Sequence, residues 1–289
     1  MPSRSGTPTL RQAQQAARER LAALPHASAE LEAALLLCHL LRKPRSYLYA
    51  WPERRLSEAE SESYRQLIER RLSGEPIAHI TGEREFWSLP LQITPETLIP
   101  RPETELLVER ALQLLQSTPK PRIADLGTGS GAIAIALASE RPDAEIDAVE
   151  RSQPALAVAR DNACRLGYGN IRFLHGDWCE ALPAGRRYDL ILSNPPYIEA
   201  DDAHLGQGDL PWEPASALVS GDDGLADIRQ IAQQAWPRLT AGGWLLLEHG
   251  YRQAEAVSDI LTEQGYQAIA THPDLAGQPR ASEGRTPRN

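Results

Sequence analysis

Four consecutive residues, Asn194-Pro195-Pro196-Tyr197, close an apolar run from Tyr188 to Ser193. Two prolines in a row cannot donate to a sheet ladder and hold φ near about −65°, so a strand has to end there. The Asn and Tyr side chains and free carbonyls are then left at its carboxyl edge, which in open α/β sheets is where ligands bind. The chemistry these groups suit is methyl transfer to a planar nitrogen. An amide or aniline-like nitrogen is a poor nucleophile because its lone pair is delocalised, and attack on a sulfonium methyl demands that lone pair in line. The Asn194 side-chain oxygen and the Pro195 carbonyl are two acceptors for the two N–H groups. They would aim the nitrogen and stabilise the positive charge that develops on it, with Tyr197 stacked on the planar group. No Ser/His/Asp or Cys/His nucleophile is required.

Upstream, Ile123 to Gly131 reads Ile-Ala-Asp-Leu-Gly-Thr-Gly-Ser-Gly and runs into a helical stretch, Ala132 to Ser139. Gly127, Gly129 and Gly131, separated by Thr128 and Ser130, let the backbone turn tightly and approach a ligand, and the helix behind them presents free amides. With Ala132 the run also satisfies G-x-G-x-x-A, so glycine spacing alone leaves a nicotinamide dinucleotide site open. Two neighbours favour S-adenosylmethionine (SAM) instead: Asp125, placed to meet the ammonium of a methionine moiety, and the tetrapeptide, which hydride chemistry does not need. Glu150 ends the next apolar run, where a carboxylate accepts both ribose hydroxyls of a nucleoside. Asp177-Trp178 follow the third run and suit the exocyclic amine and ring face of adenine. Each has a structural alternative, a glycine turn, a solvated strand-end acid, a packed tryptophan or a Pro-Pro terminator, and for Glu150 taken alone that alternative is the better one. Their combination carries the functional reading.

These residues need elements to hold them. After Pro102, helices alternate with short apolar runs at Arg122 to Leu126, Ile146 to Glu150, Ile171 to His175, Tyr188 to Ser193, Gly243 to His249 and Gln267 to Thr271. This alternation predicts a doubly wound, mostly parallel sheet over residues 102–289. The stretch from Gly277 to Asn289 is polar and holds two prolines and two glycines, so only a weak final strand is expected there. Before Pro102, apolar residues recur at helical spacing from Thr9 to Leu24 and from Ser28 to Leu41, where Leu31, Leu35, Leu36, His39 and Leu40 mark one face. Ser57-Glu58-Ala59-Glu60 is a capping box for a third helix that Gly74 and Pro76 stop. Residues 1–78 are therefore expected to form a small helical bundle. It has no cofactor motif, so its expected role is substrate recognition. Between them, residues 79–101 hold β-type runs at His79 to Thr81, Phe86-Trp87 and Leu91 to Thr94 and predict a hairpin connector.

At 289 residues the chain has room for two ordinary domains. Its net charge of −9 argues against a general nucleic-acid coat protein. Residues 1–78 hold 12 Lys+Arg against 9 Asp+Glu, so of the 30 and 39 in the chain, 18 and 30 fall on the remainder, a net −12. Cys38, Cys164 and Cys179 have no CxxC spacing, and His39, His79, His175 and His249 have no metal spacing. Neither a disulfide framework nor a metal site is expected, and a reducing cytoplasm suits the chain. The start lacks an apolar leader, and the longest apolar stretch, around Ala33 to Leu41, is well short of the ~20 residues that span a bilayer. A soluble protein without membrane partners is expected.

Together these residues resemble the release-factor glutamine methyltransferases, the PrmC or HemK family. The likeness covers nearly the whole chain: the helical N-terminal stretch, Leu98-Ile99-Pro100-Arg101-Pro102-Glu103-Thr104-Glu105, Asp125 to Gly131, Asn194 to Tyr197, and Gly243 to His249 with Leu-Leu-Leu-Glu-His inside it. The first motif discriminates, because the tetrapeptide alone is shared with adenine-N6 DNA methyltransferases. The resemblance implies a helical domain, a hairpin connector and a Rossmann-like class I SAM-dependent methyltransferase domain with a seven-stranded sheet. It implies N5-methylation of the glutamine in the Gly-Gly-Gln motif of class I peptide chain release factors. By the same likeness, cofactor contacts fall on Gly127 to Gly131, Glu150, Trp178 and Asn194, and the substrate glutamine on Asn194, Pro195, Pro196 and Tyr197. Glu150 stands where Asp is also usual in the family; either carboxylate serves. Two alternatives are weighed against this: a nucleic-acid adenine-N6 or guanine-N2 methyltransferase, disfavoured by the acidic catalytic part, and a non-catalytic SAM-binding scaffold, disfavoured because Asn194 and Tyr197 are intact.

Overall fold

The computed structural model describes residues 6–25 and 28–288; residues 1–5, on which the expectation of no leader partly rests, lie outside that set. The described chain divides into two compact units. The smaller comprises residues up to Gly82 together with the segment His204–Trp212. The larger runs from Glu83 to Ala203 and from Glu213 onward.

Five helices build the smaller unit: α1 (Leu10–Leu21), α2 (Ala29–Leu41), α3 (Arg45–Ala50), α4 (Glu58–Leu72) and α5 (Ile77–Thr81). Capping boxes start two of them, Thr9 with Gln12 on α1 and Ser57 with Glu60 on α4, so first-turn amides that no helical carbonyl reaches are satisfied by side chains. Leu21, Leu36, Leu37, Tyr64 and Ile68 form the core, and the Tyr64 hydroxyl donates to the Ala33 carbonyl at 2.7 Å. Leu31, expected on the buried face of α2, is exposed, because Ala33, Ala34, Leu36 and Leu37 take that face. The run His79 to Thr81 is helical in α5, where a strand-like run was expected, and Gly82 ends it in the left-handed region. A boundary at 78 would cut this helix. Segment His204–Trp212 is held to the unit by Arg71, which pairs with Glu32 at 2.8 Å and with Asp209 at 3.3 Å.

The larger unit opens with the expected hairpin, β1 (Glu83–Phe86) and β2 (Leu89–Gln92), turning through Trp87 and Ser88, which both have positive φ. The alternation then reads α6 (Glu105–Leu114), β3 (Arg122–Leu126), α7 (Ala132–Glu140), β4 (Glu145–Glu150), α8 (Gln153–Leu166), β5 (Ile171–His175), β6 (Tyr188–Ser193), α9 (Ala226–Ala235), β7 (Leu239–Glu248), α10 (Ala254–Glu263), β8 (Gln267–Pro273) and β9 (Pro279–Arg285). The seven strands from β3 onward form one sheet in the order β5-β4-β3-β6-β7-β9-β8. Neighbours from β5 to β7 pair in parallel, and β9 runs antiparallel to both its neighbours. The order reverses between β3 and β6, which creates a crevice at their carboxyl ends. On one face Ile228, Ile231, Val257 and Leu261 of α9 and α10 pack against Ala124, Leu126, Ile191, Leu245 and Leu247. Helix α7 is buried all round from Ala132 to Ala138, which explains its unbroken Ala/Ile composition. Among the described residues no helix is long and apolar enough to cross a membrane.

The final strand is stronger than its composition suggests. β9 is hydrogen-bonded on both sides, and its polar side chains are buried against partners. Ser282 meets His249 Nε2 at 2.9 Å and Thr271 at 2.7 Å, and Glu283 accepts from Arg110 Nη2 at 2.9 and 3.0 Å. Hydropathy misses such a strand because it is stabilised by specific polar pairs that only the fold brings together. Removing one partner of a buried ion pair typically costs about 3–5 kcal/mol, whereas replacing both with apolar groups is often neutral. Arg110→Ala is therefore expected to lower unfolding free energy by about 3 kcal/mol and Arg110→Met with Glu283→Leu by much less; equal losses in urea titrations would contradict this account of β9.

Candidate active site

Parallel pairing of β3 with β6 brings Leu126 opposite Ser193. The Ser193 hydroxyl donates to the Leu126 carbonyl at 2.6 Å in a fully buried position. The glycine loop and the tetrapeptide, far apart in sequence, therefore leave the sheet side by side. They open onto a cavity of about 510 Å³, within the usual range for a small-molecule site.

The loop is shaped from beneath. Gly127 and Thr128 both donate to the Val149 carbonyl at 2.9 Å, tying the turn to β4. Gly127 has φ +73, and a Cβ there would sit 3.1 Å from the Trp178 ring, so only glycine allows the tryptophan to lie against the loop. Asp125 is completely buried and does not line the cavity. Its Oδ2 accepts from the Thr128 hydroxyl at 2.6 Å. Burial pushes this carboxyl up to about 7, against the Thr128 hydroxyl and the Ala134 amide and with help from nearby Glu150. Thr128, Ser130 and Gly131 likewise lie off the cavity wall; Gly131 caps α7. Asp125 thus stands beneath the loop, bonded to Thr128.

Other expected residues do reach the cavity. Gly127, Gly129, Glu150, Asp177, Trp178, Asn194 and Pro196 line it. Glu150 is held by two backbone amides, Gly129 N at 3.0 Å and Ser152 N at 2.8 Å, one on each carboxylate oxygen. A carboxylate has about four acceptor sites, so this clamp fixes the group and leaves capacity for two hydroxyls. Four carboxylates, Glu96, Glu150, Asp177 and Asp227, line the cavity against one cation, Arg151. That balance favours a cationic ligand over a pyrophosphate. The cavity thus joins a clamped carboxylate, an aromatic wall beside the glycine turn and an excess of negative charge.

On the far wall the tetrapeptide is braced by residues without a recognisable sequence role. Gln253 donates from Nε2 to the Tyr197 carbonyl at 3.0 Å. Ile198 pairs with the segment 214–221 through Leu218 O and Ser220 N, at 2.9 and 3.0 Å, and that segment supplies Pro214, Ser216 and Val219 to the cavity. At its start Glu213, buried, accepts from Ile99 N at 3.0 Å and Arg101 at 2.6 Å. The motif Leu98–Glu105 is thereby fastened to the wall; its resemblance to a family was the only signal for it. Pro195 and Tyr197 sit off the cavity wall. The Tyr197 hydroxyl donates to Glu248 Oε1 at 3.3 Å, and burial, then Glu248, raises it well above the usual phenol range. Asn194 Nδ2 donates to Thr104 Oγ1 at 3.1 Å. Glu248 is fully buried; burial pushes it up to about 7 against the Thr104 hydroxyl, Arg280 and Tyr197.

Residues 12–82 match the family model of the PrmC N-terminal domain and residues 103–208 that of the methyltransferase small domain. The release factor glutamine methyltransferase of Vibrio cholerae serotype O1 is 50% identical over 277 residues, 96% of each chain. That of Escherichia coli K12 is 50% identical over 254 residues, covering 88% of this chain and 91% of its own. The chain belongs to the release factor glutamine methyltransferases. It is accordingly an enzyme that transfers methyl groups. Among solved structures, the hMettl16 catalytic domain in complex with the MAT2A 3′UTR hairpin 6 superposes with a TM-score of 0.56 at 15% identity, over 81% of this chain and 83% of that one. At that identity the likeness shows the shared fold alone.

The two raised carboxyls have a consequence for stability. An Asp or Glu in an unfolded chain titrates near about 4. A carboxyl raised in the folded state favours folding below the unfolded-chain value, and that contribution is lost as pH rises through about 7. Glu248→Gln removes it for one of the pair. Relative to wild type, this variant is expected to gain about 3 kcal/mol between roughly pH 4 and pH 8 in urea titrations. Parallel profiles would show that Glu248 does not change ionisation across this range.

Proposed function

We propose that this enzyme transfers the methyl group of SAM to the side-chain amide nitrogen, N5, of the glutamine in the Gly-Gly-Gln motif of class I peptide chain release factors, in the cytoplasm where those factors act. One observation carries the reading: a chain half identical, end to end, to release factor glutamine methyltransferases turns Asn194 of Asn-Pro-Pro-Tyr into a cavity suited to a cationic nucleoside. When bound, SAM supplies an electrophilic methyl on a sulfonium. Glu150 accepts the ribose hydroxyls, Trp178 flanks the adenine, Asp177 accepts its exocyclic amine, and the glycine loop admits the methionine portion. Asn194 Oδ1 and the Pro195 carbonyl accept the two N–H groups of the glutamine amide, which rotates its nitrogen lone pair toward the methyl. As positive charge develops on nitrogen, both hydrogen bonds strengthen, so they stabilise the transition state more than the ground state. Pro196 forms the wall against the amide, and Tyr197, held by Glu248, supports the tetrapeptide from behind. Residues 1–78 recognise the release factor, and the acidic catalytic unit has no need of nucleic acid.

Four outcomes test this reading. Labelled methyl groups from SAM are expected in a release factor and absent from duplex DNA and structured RNA; the reverse would assign a nucleic-acid substrate. Asn194→Ala is expected to slow single-turnover methylation by on the order of 10² to 10³ at saturating SAM. Glu150→Ala is expected to weaken SAM binding at least about tenfold, since two charge-assisted hydrogen bonds of roughly 1.5–3 kcal/mol each are lost; unchanged calorimetric affinity would remove Glu150 from the site. Tyr49 and Trp51 of the helical unit are 71% and 60% exposed, large apolar surfaces with no structural reason to face water. Changing both to alanine is expected to raise KM for the release factor and leave SAM affinity unaltered.

A further inference from the structure

A side-chain amide presents a donor on one edge and an acceptor on the other, and only the acceptor edge of Asn194 can hold a substrate N–H. Two groups behind Asn194, away from the cavity wall, decide which edge faces inward. Thr104 Oγ1 lies 3.1 Å from Asn194 Nδ2. The same hydroxyl faces the carboxyl of Glu248, whose Oε2, fully buried, has no hydrogen-bond partner of its own. A hydroxyl has one proton. A desolvated carboxylate takes that proton in preference to a neutral amide oxygen, because hydrogen bonds to an ionised acceptor are about twice as strong. Thr104 is then left with lone pairs only toward Asn194. It can meet the NH₂ edge and not the oxygen edge, so Oδ1 is turned to the cavity that Asn194 lines.

We infer that Thr104, backed by Glu248, is a positioning residue that sets the orientation of the Asn194 amide, so that the acceptor and not the donor meets the glutamine N–H. The inference rests on the role given to Asn194 above. Thr104 comes from the Leu98–Glu105 motif and Glu248 from the end of β7, so two of the motifs that carry the family resemblance meet at this point, behind the third. The charged or titratable groups facing Glu248 are Tyr197, Arg280 and Glu103.

The test is a mutant cycle at pH 8.5, where Glu248 is a carboxylate, with single-turnover methylation of a release factor at saturating SAM and SAM affinity measured in parallel. Thr104→Val keeps the shape and removes the hydroxyl; it is expected to slow methyl transfer at least tenfold with SAM affinity within twofold of wild type. Thr104→Ser restores the hydroxyl and is expected to recover the rate. Because Thr104 acts through Asn194, Thr104→Val added to Asn194→Ala is expected to slow the reaction no further. A wild-type rate for Thr104→Val overturns the inference, and so does a double variant slower by the product of the two single effects. If Asn194→Ala is slow while Thr104→Val is not, the inference alone fails; if Asn194→Ala itself runs at the wild-type rate, the site assignment fails and takes the inference with it. Should Thr104→Val not fold, Glu248→Gln, of equal size, enters the same cycle with the same expected non-additivity.

Discussion

The buried hydrogen bond from the Ser193 hydroxyl to the Leu126 carbonyl sits where the ends of β3 and β6 meet, and the placing of the glycine loop beside the tetrapeptide depends on that adjacency. Crossovers carry the chain outward from β3 to β5 and then return it to the other side of β3. The reversal leaves no crossover to cover the carboxyl ends of β3 and β6. A glycine turn and a Pro-Pro turn therefore diverge around a space that the chain itself does not fill. Moving β6 one place along the sheet would separate Asn194 from the glycine loop.

Around this crevice the protein uses buried carboxylates as fasteners, and each does a different job according to what it meets. Glu150 is clamped by two backbone amides and keeps spare acceptor sites toward the cavity. Glu213 ties Ile99 and Arg101 to the wall segment that follows it. Asp125 and Glu248 are wholly buried without a cation hydrogen-bonded to them, so desolvation dominates and lifts both toward neutrality. Burying such groups is costly to stability. At this site the cost falls on residues that aim the glycine loop and the tetrapeptide, which is where strain and polarity concentrate when position matters more than packing.

The loop between β6 and α9 belongs to both compact units. It leaves the tetrapeptide, contributes His204–Trp212 to the helical unit, and returns to line the cavity from Pro214 to Gly221. Arg71 holds the outlying part through Asp209, with Glu32 completing the pair of acids around it. The helical unit is thus more than the first stretch of sequence, and its boundary cannot be drawn by a single cut in the chain.

Much of this was legible in the residues because it depends on local rules. Two prolines end a strand wherever they occur, glycines at alternate positions make a turn, and a Ser-x-x-Glu box starts a helix, so the strands, the glycine loop, the tetrapeptide and α4 are readable from their own neighbours. The alternation of apolar runs and helices set the fold class for the same reason. What the tertiary structure alone decided are the relations between distant polar groups. β9 is a strand because Arg110, His249 and Thr271 come to meet its polar side chains, and hydropathy has no access to those partners. Asp125 went beneath the loop, and not to its face, because parity along β3 points it inward toward Thr128. Thr104 and Glu248 lie 144 positions apart in sequence, and only the assembled fold sets the Thr104 hydroxyl between Asn194 and the buried Glu248 carboxyl. Local sequence determines which backbone forms; the pairing of buried polar atoms is a property of the assembled fold, because the free energy of burying one depends on the partner the rest of the chain delivers.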